Sequence, residues 1–278
     1  MYSIIRGSND PFFYVMTDKP TLIICAGIGW SATRSLMFSL EGYNHGLCKE
    51  DHILYGISLN KKGYDQFIND SETIKREKKY GYIHKGLTVE KYIDLYLRNS
   101  IGHKGVTDFT NANQKLDPLF LRSIRSRLHD AFDVKVMMIF RDPVRRLFSE
   151  VSAFYNKKWV ETNCASCRDY FMRVLHDGSL TSSEQYTLHY NNWKNAGYNI
   201  HPIKMERIYS CDKKDLEKFL GHSIELHPTS YYPERGVDAP YIHSVKCQKS
   251  DTESLSEEDY QYARGILDHE YTDFYNHL

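Results

Sequence analysis

The chain has no net charge to spare: 36 Lys and Arg stand against 36 Asp and Glu among 278 residues. A protein built mainly to hold nucleic acid carries a basic excess, and that class is excluded. No apolar run approaches the roughly 20 residues of a membrane span. The first twenty residues lack an apolar core of about 7–15 residues behind positive charge, so a signal peptide is not expected and a cytoplasmic place is. Cysteine is sparse, with six in all. Only Cys164 and Cys167 have metal-like spacing, and no second pair completes a zinc site. A chance pair or a local disulfide reads better there, and no metal is expected. Internal repeats and low-complexity linkers are missing too. A chain of this length can bury a large core, and strands alternating with helices predict an α/β domain with a mainly parallel sheet covered on both faces.

What is present concentrates in two stretches. In the first, 22–38, an apolar β-branched run breaks at Gly27 and Gly29, and Ser31, Thr33 and Ser35 lead into a helical pattern. Strand, glycine-rich turn and helix N-terminus together aim backbone N–H groups at one spot, which suits a phosphate or sulfate. No Gly-Lys-Ser/Thr stands where a Walker A loop needs it. In the second, 134–155, a buried strand ends at Phe140 and Arg141 follows. Asp142 can cap the next helix and Pro143 fits its first turn. A guanidinium at the carboxyl end of a central strand is placed to grip a phosphate. Arg34 in a first helical turn opposes the dipole, a cost that an anion there would offset.

Arg141-Asp142-Pro143 through Ser149 resembles the 3′-phosphate motif of sulfotransferases that use 3′-phosphoadenosine 5′-phosphosulfate (PAPS), in which the first Arg and the final Ser hold the 3′-phosphate. The 27–36 turn resembles the family's 5′-phosphosulfate loop, which puts Gly29, Trp30, Ser31, Ala32, Thr33, Arg34 and Ser35 beside the cofactor. Lys49-Glu50-Asp51-His52 resembles the Lys-Glu-x-His segment of carbohydrate-type members, whose Glu is the base. Gly105 to Phe109 resembles a segment lining the acceptor cleft. Gln185-Tyr186 through Trp193 and then the strand-like 200–205 with Glu206 follow the family's later pattern. The likeness covers about residues 20 to 220 in order.

The resemblance implies a single P-loop-like sulfotransferase domain over 1–278, with a polar insertion or lid at about 57–86 and a nucleotide-covering loop at about 228–252. In that loop Arg235, Lys246 and Lys249 are the contact candidates. It implies in-line transfer of a sulfuryl group from PAPS to an acceptor hydroxyl, carbohydrate or small molecule, with PAP as product and no metal. Glu50 would be the base, with Lys49, Arg34 and His52 as further catalytic groups; Thr107, Asp108, His103 and Tyr186 would touch the acceptor. Trp30 stands where the family has Lys or Arg. Arg34 or Lys49 supplies that charge, or the alignment shifts, or turnover is impaired. A degenerate protein that binds nucleotide or sulfated glycan is thus the alternative, and a P-loop kinase a more distant one. Of Arg145 and Arg146, at least one is expected at the surface.

Strands are expected near 21–26, 45–48, 105–109, 135–140 and 199–204. Helices are expected near 33–41, 88–99, 117–129, 143–157, 166–176, 183–196, 213–220 and 256–274.

Overall fold

A computed structural model gives the fold and describes residues 19–27, 29, 33–45, 51–59, 61–69, 86–156, 158, 163–178, 185–209, 213–226 and 255–278. Five strands, β1 (Thr21–Cys25), β2 (Tyr43–Asn44), β3 (Gly105–Asp108), β4 (Asp133–Phe140) and β5 (Ile200–Lys204), form one sheet in the order β2-β3-β1-β4-β5. Every pairing is parallel. All carboxyl ends therefore open at one rim. β1 lies in the middle, so the loop that leaves it is flanked by the loops that leave β3 and β4.

Strand alternation divides the core between two faces. Leu22, Ile24, Val136, Met138 and Phe140 point into the larger cluster. That face is covered by α4 (Val89–Ser100), α5 (Pro118–Ala131), α6 (Pro143–Asn156), α7 (Cys167–Asp177) and α8 (Tyr186–Asn195). Ile23, Cys25, Met137 and Ile139 face the other way, onto Leu36 and Leu40 beside α1 (Thr33–Ser39) and onto Leu216 and Leu220 of α10 (Lys214–Leu220). Burial on both faces is what the continuous apolar runs predict.

Capping follows the sequence closely. Asp117 accepts from the amides of Leu119 and Phe120 ahead of α5. The Asp142 carboxylate accepts from Arg145 N at 2.9 Å, and Pro143 opens α6. Ser256 caps the C-terminal helix α11 (Glu257–Ile266).

Some elements lie elsewhere than expected or are only partly described. A strand lies at Tyr43–Asn44, where Gly42, at φ 81°, turns the chain out of α1 for Tyr43 to pair with Gly105; of the expected 45–48, residues 46–48 lie outside the described residues. The closing helix breaks at Leu267 into α11, α12 (Asp268–Asp273) and a 3-10 turn, Tyr275–His277. The expected insertion begins with helix: α2 (Ile53–Ser58) and α3 (Lys61–Ile68) pack there, while 70–85 lie outside the described residues. A short helix α9 (Met205–Tyr209) also follows β5 directly. Cys164 and Cys167 are free thiols. Among the described residues no helix is long and apolar enough to cross a membrane.

Candidate functional site

The candidate site lies at the carboxyl ends of β1 and β4, where β1 ends at Cys25 opposite Met137 and β4 continues to Phe140. Ala26 N donates to Met137 O at 2.9 Å, carrying the pairing one residue past β1. Gly27 comes next, and a Cβ there would stand 3.0 Å from Thr33 Cγ2 and 3.3 Å from Ile139 N. Glycine lets the backbone pass that close to β4 without the shift a side chain would demand of its neighbours. Gly29 stands half-buried between two walls. Its carbonyl accepts from Arg146 Nη1 at 3.4 Å, and a Cβ on it would meet Asn111 Nδ2 at 3.5 Å. Thr33 is buried at the start of α1. Trp30, Ser31 and Ala32 lie outside the described residues, as do the side chains of Arg34 and Ser35.

The second corner is the one the sequence announces. Arg141 leaves β4 and its Nη1 donates to Ser149 Oγ at 2.9 Å, two turns into α6. From beneath, the Tyr186 hydroxyl donates to the Arg141 carbonyl at 2.8 Å. Burial pushes the Arg141 guanidinium below its usual range, and the nearby Glu206 opposes that. A guanidinium that has lost water and still holds its charge is suited to an anion. Around it, Asp142 N donates to Glu206 Oε1 at 3.0 Å, Tyr260 OH to Asp142 Oδ2 at 2.6 Å and Tyr275 OH to Glu206 Oε2 at 2.8 Å.

Arg146 joins the two corners and was not singled out by sequence reasoning. It is fully buried, pairs with Glu150 at 2.6 Å one turn on, and reaches the Gly29 carbonyl. The bond gives the Gly29 carbonyl a buried cationic donor. Its sequence signal is the Glu150 partner at i+4. Arg145 is the exposed member of the pair.

The acceptor side differs from expectation. Thr107 and Asp108 are buried, at 0% and 1% exposure, and line no cleft. Thr107 Oγ1 sits 3.2 Å from His45 Nδ1. Asp108 Oδ2 accepts from Tyr92 OH and Asn113 Nδ2, each at 3.0 Å. Tyr186 is likewise fully buried, so it supports Arg141 instead of touching substrate. His103 stands before Gly105, which pairs with the first residue of β1, so it lies at the amino end of the sheet, opposite the candidate site. Parallel strand direction excludes it from the site.

Lys49 and Glu50 lie outside the described residues. Their neighbour Asp51 is fully buried; Tyr96 OH donates to its Oδ2, and Ile53 N and Thr110 Oγ1 donate to its Oδ1. His52 follows in a left-handed conformation, φ 59°, at the start of α2, with no side-chain capping bond, while Asp51 takes the Ile53 amide. A non-glycine residue held there is a conformation the surroundings must enforce. Burial raises both Asp51 and Asp108, and the charge of Asp108 lifts Asp51 further, to about 7.

Among the described residues, the groups suited to a phosphate are the Arg141 guanidinium and the Ser149 hydroxyl beside it; Gly27 and Gly29 are described in the turn after β1, and most of the rest of that turn lies outside the described residues. The expected covering loop, with Arg235, Lys246 and Lys249, falls outside the described residues.

No family model and no curated protein sequence matches the chain. Solved structures similar to it include a sulfotransferase from Alicyclobacillus acidocaldarius, 16% identical over 78% of this chain and 87% of that one, with a TM-score of 0.48. The sulfotransferase domain from the curacin biosynthetic pathway is 16% identical over 81% and 83%, TM-score 0.45. Retinol dehydratase, solved with androsterone and the inactive cofactor PAP, is 15% identical over 74% and 60%, TM-score 0.35.

Proposed function

We propose that this chain is a PAPS-dependent sulfotransferase acting on a hydroxyl of a carbohydrate or small molecule. The observation that carries the reading is the junction of the two corners: Arg141 paired with Ser149, and Arg146 reaching from the same helix to Gly29. Arg141 and Ser149 would hold the 3′-phosphate. The 27–33 loop would present its amides to the 5′ end, with the Gly29 carbonyl bonded to Arg146. PAPS, when bound, supplies an activated sulfuryl group. Glu50 would take the acceptor's proton, and Arg34 or Lys49 would balance charge on the departing phosphate oxygen.

Calorimetry with 3′,5′-adenosine bisphosphate (PAP) tests the reading. Binding that is lost in Arg141→Ala supports it, and a preference for ATP with Mg²⁺ points to a kinase instead. Glu50→Gln should bind PAP normally and transfer no label from labelled PAPS; undiminished transfer removes Glu50 as base. Trp30, at the position of the family's Lys or Arg, favours a second reading, a nucleotide binder without turnover. A wild type that binds PAP yet transfers nothing to a panel of acceptors would establish it.

A further inference from the structure

Asp108 and Asn113 are both buried, and the bond from Asn113 Nδ2 to Asp108 Oδ2 joins them. Oδ2 also takes the Tyr92 hydroxyl, so one oxygen of the carboxyl receives two donors. The other, Oδ1, has no hydrogen-bond partner among the described residues, and neither has the Asn113 side-chain oxygen. Buried acceptors without donors are costly and rare. Each bare oxygen shares its carbon with an atom of the 3.0 Å bond, so both belong to one pair of planar groups. A carboxylic acid and an amide paired in this way can close a ring of two bonds. The amide N–H donates to the acid carbonyl, and the acid O–H donates to the amide carbonyl. A carboxylate cannot close that ring, having no proton to offer. The surroundings favour the acid. Burial raises Asp108, against the pull of Thr110, Asn113 and Tyr92. The titratable groups facing it among the described residues are Asp51 ahead of α2 and Tyr92 and Tyr96 of α4, and none is a cation.

We infer that Asp108 stands in the fold as a neutral carboxylic acid whose Oδ1 proton bonds to the Asn113 side-chain oxygen, latching the end of β3 to the turn beside Gly29. The turn is the 3-10 segment Asn111–Lys115. From the other side Trp193 Nε1 of α8 donates to the Asn113 backbone carbonyl at 3.0 Å. Asn111 opens the turn, and its amide is what a Cβ on Gly29 would touch. Ionisation would leave two bare oxygens facing each other and loosen the turn from β3. The proton on Asp108 is independent of the ligand that the β1 loop takes; the effect on PAP binding rests on the nucleotide reading above.

Infrared spectroscopy of the full chain at neutral pH reads the proton directly. Wild type should show the C=O band of a carboxylic acid that Asp108→Asn lacks. Asp51→Asn, which removes the other buried carboxyl, should keep that band, and Asn113→Leu should move it to higher frequency as the amide donor is lost. A wild type without the band, its Asp108 ionised and a water donating to both bare oxygens, overturns the inference. The wild-type and Asp108→Asn spectra decide the proton even if Asn113→Leu does not fold. Thermal melts and PAP calorimetry read the latch. An amide at 108 can donate where the acid proton did, so Asp108→Asn should melt within about two degrees of wild type and bind PAP within about twofold. Asn113→Leu should melt several degrees lower and bind PAP about three- to tenfold more weakly. An Asn113→Leu protein that melts and binds like wild type overturns the latch. A wild type with the acid band and no affinity for PAP supports the acid and strikes the nucleotide reading alone.

Discussion

The two sides of β1 put charge to opposite uses. Toward β4, the polar groups are a cation and a hydroxyl, both half-buried and bonded to each other: Arg141 and Ser149. Toward β3, they are two carboxylates with no exposure to speak of: Asp51, whose Oδ1 and Oδ2 accept from Ile53 N, Thr110 and Tyr96, and Asp108, whose Oδ2 accepts from Tyr92 and Asn113. The first arrangement stays partly within reach of solvent. The second is closed inside the fold, joining the 51–53 turn to the segment after β3 through Thr110. A polar residue at the carboxyl rim of a sheet is thus solvent-accessible on one side of the same strand and a strut on the other. Burial separates the two.

The largest effect on binding should come from the first side. Arg141→Ala should cost about a hundredfold in PAP affinity, roughly 2.7 kcal/mol, with little change in melting temperature. Calorimetry beside a thermal melt reads both. Arg146→Ala should do the reverse and strike stability, because it leaves Glu150 and the Gly29 carbonyl without their buried partner; about 3 kcal/mol is expected from denaturant titration. Arg146→Lys should recover only part of it, since a single ammonium cannot span both acceptors.

The strut side answers to pH. Asp51 binds its proton more tightly folded than unfolded, so this carboxyl favours the fold fully below about pH 4, and the contribution is lost as pH rises through about 7. Melting temperatures from pH 5 to 8 should therefore fall in wild type relative to Asp51→Asn, by several degrees. Parallel curves would show that the pair is not sharing protons in this way. The smallest effect belongs to Ser149→Ala, about threefold in PAP affinity, because one neutral hydroxyl bond is lost while the guanidinium remains.

The β4 corner was legible in the sequence because its signals are local. Arg, Asp, Pro and Ser at fixed spacing determine strand end, cap, first turn and helical face without help from elsewhere. The glycine turn after β1 was legible for the same reason. The acceptor side misled because Thr107 and Asp108 take their roles from partners far along the chain, Tyr92 on α4 and His45 beyond β2. His103 was misplaced by ignoring which end of a parallel strand it precedes. Arg146 reads as a surface charge until Glu150 and Gly29 are seen closing over it. Tyr260 and Tyr275, so distant from Asp142, left no mark that a window of sequence could hold.

That distance has a bearing on how the protein is made. A nascent chain displays Arg141 and Asp142 more than a hundred residues before Tyr260 is synthesised. The Asp142–Tyr260 bond, which ties the corner after β4 to α11, can therefore form only once the chain has been extended 118 residues beyond Asp142.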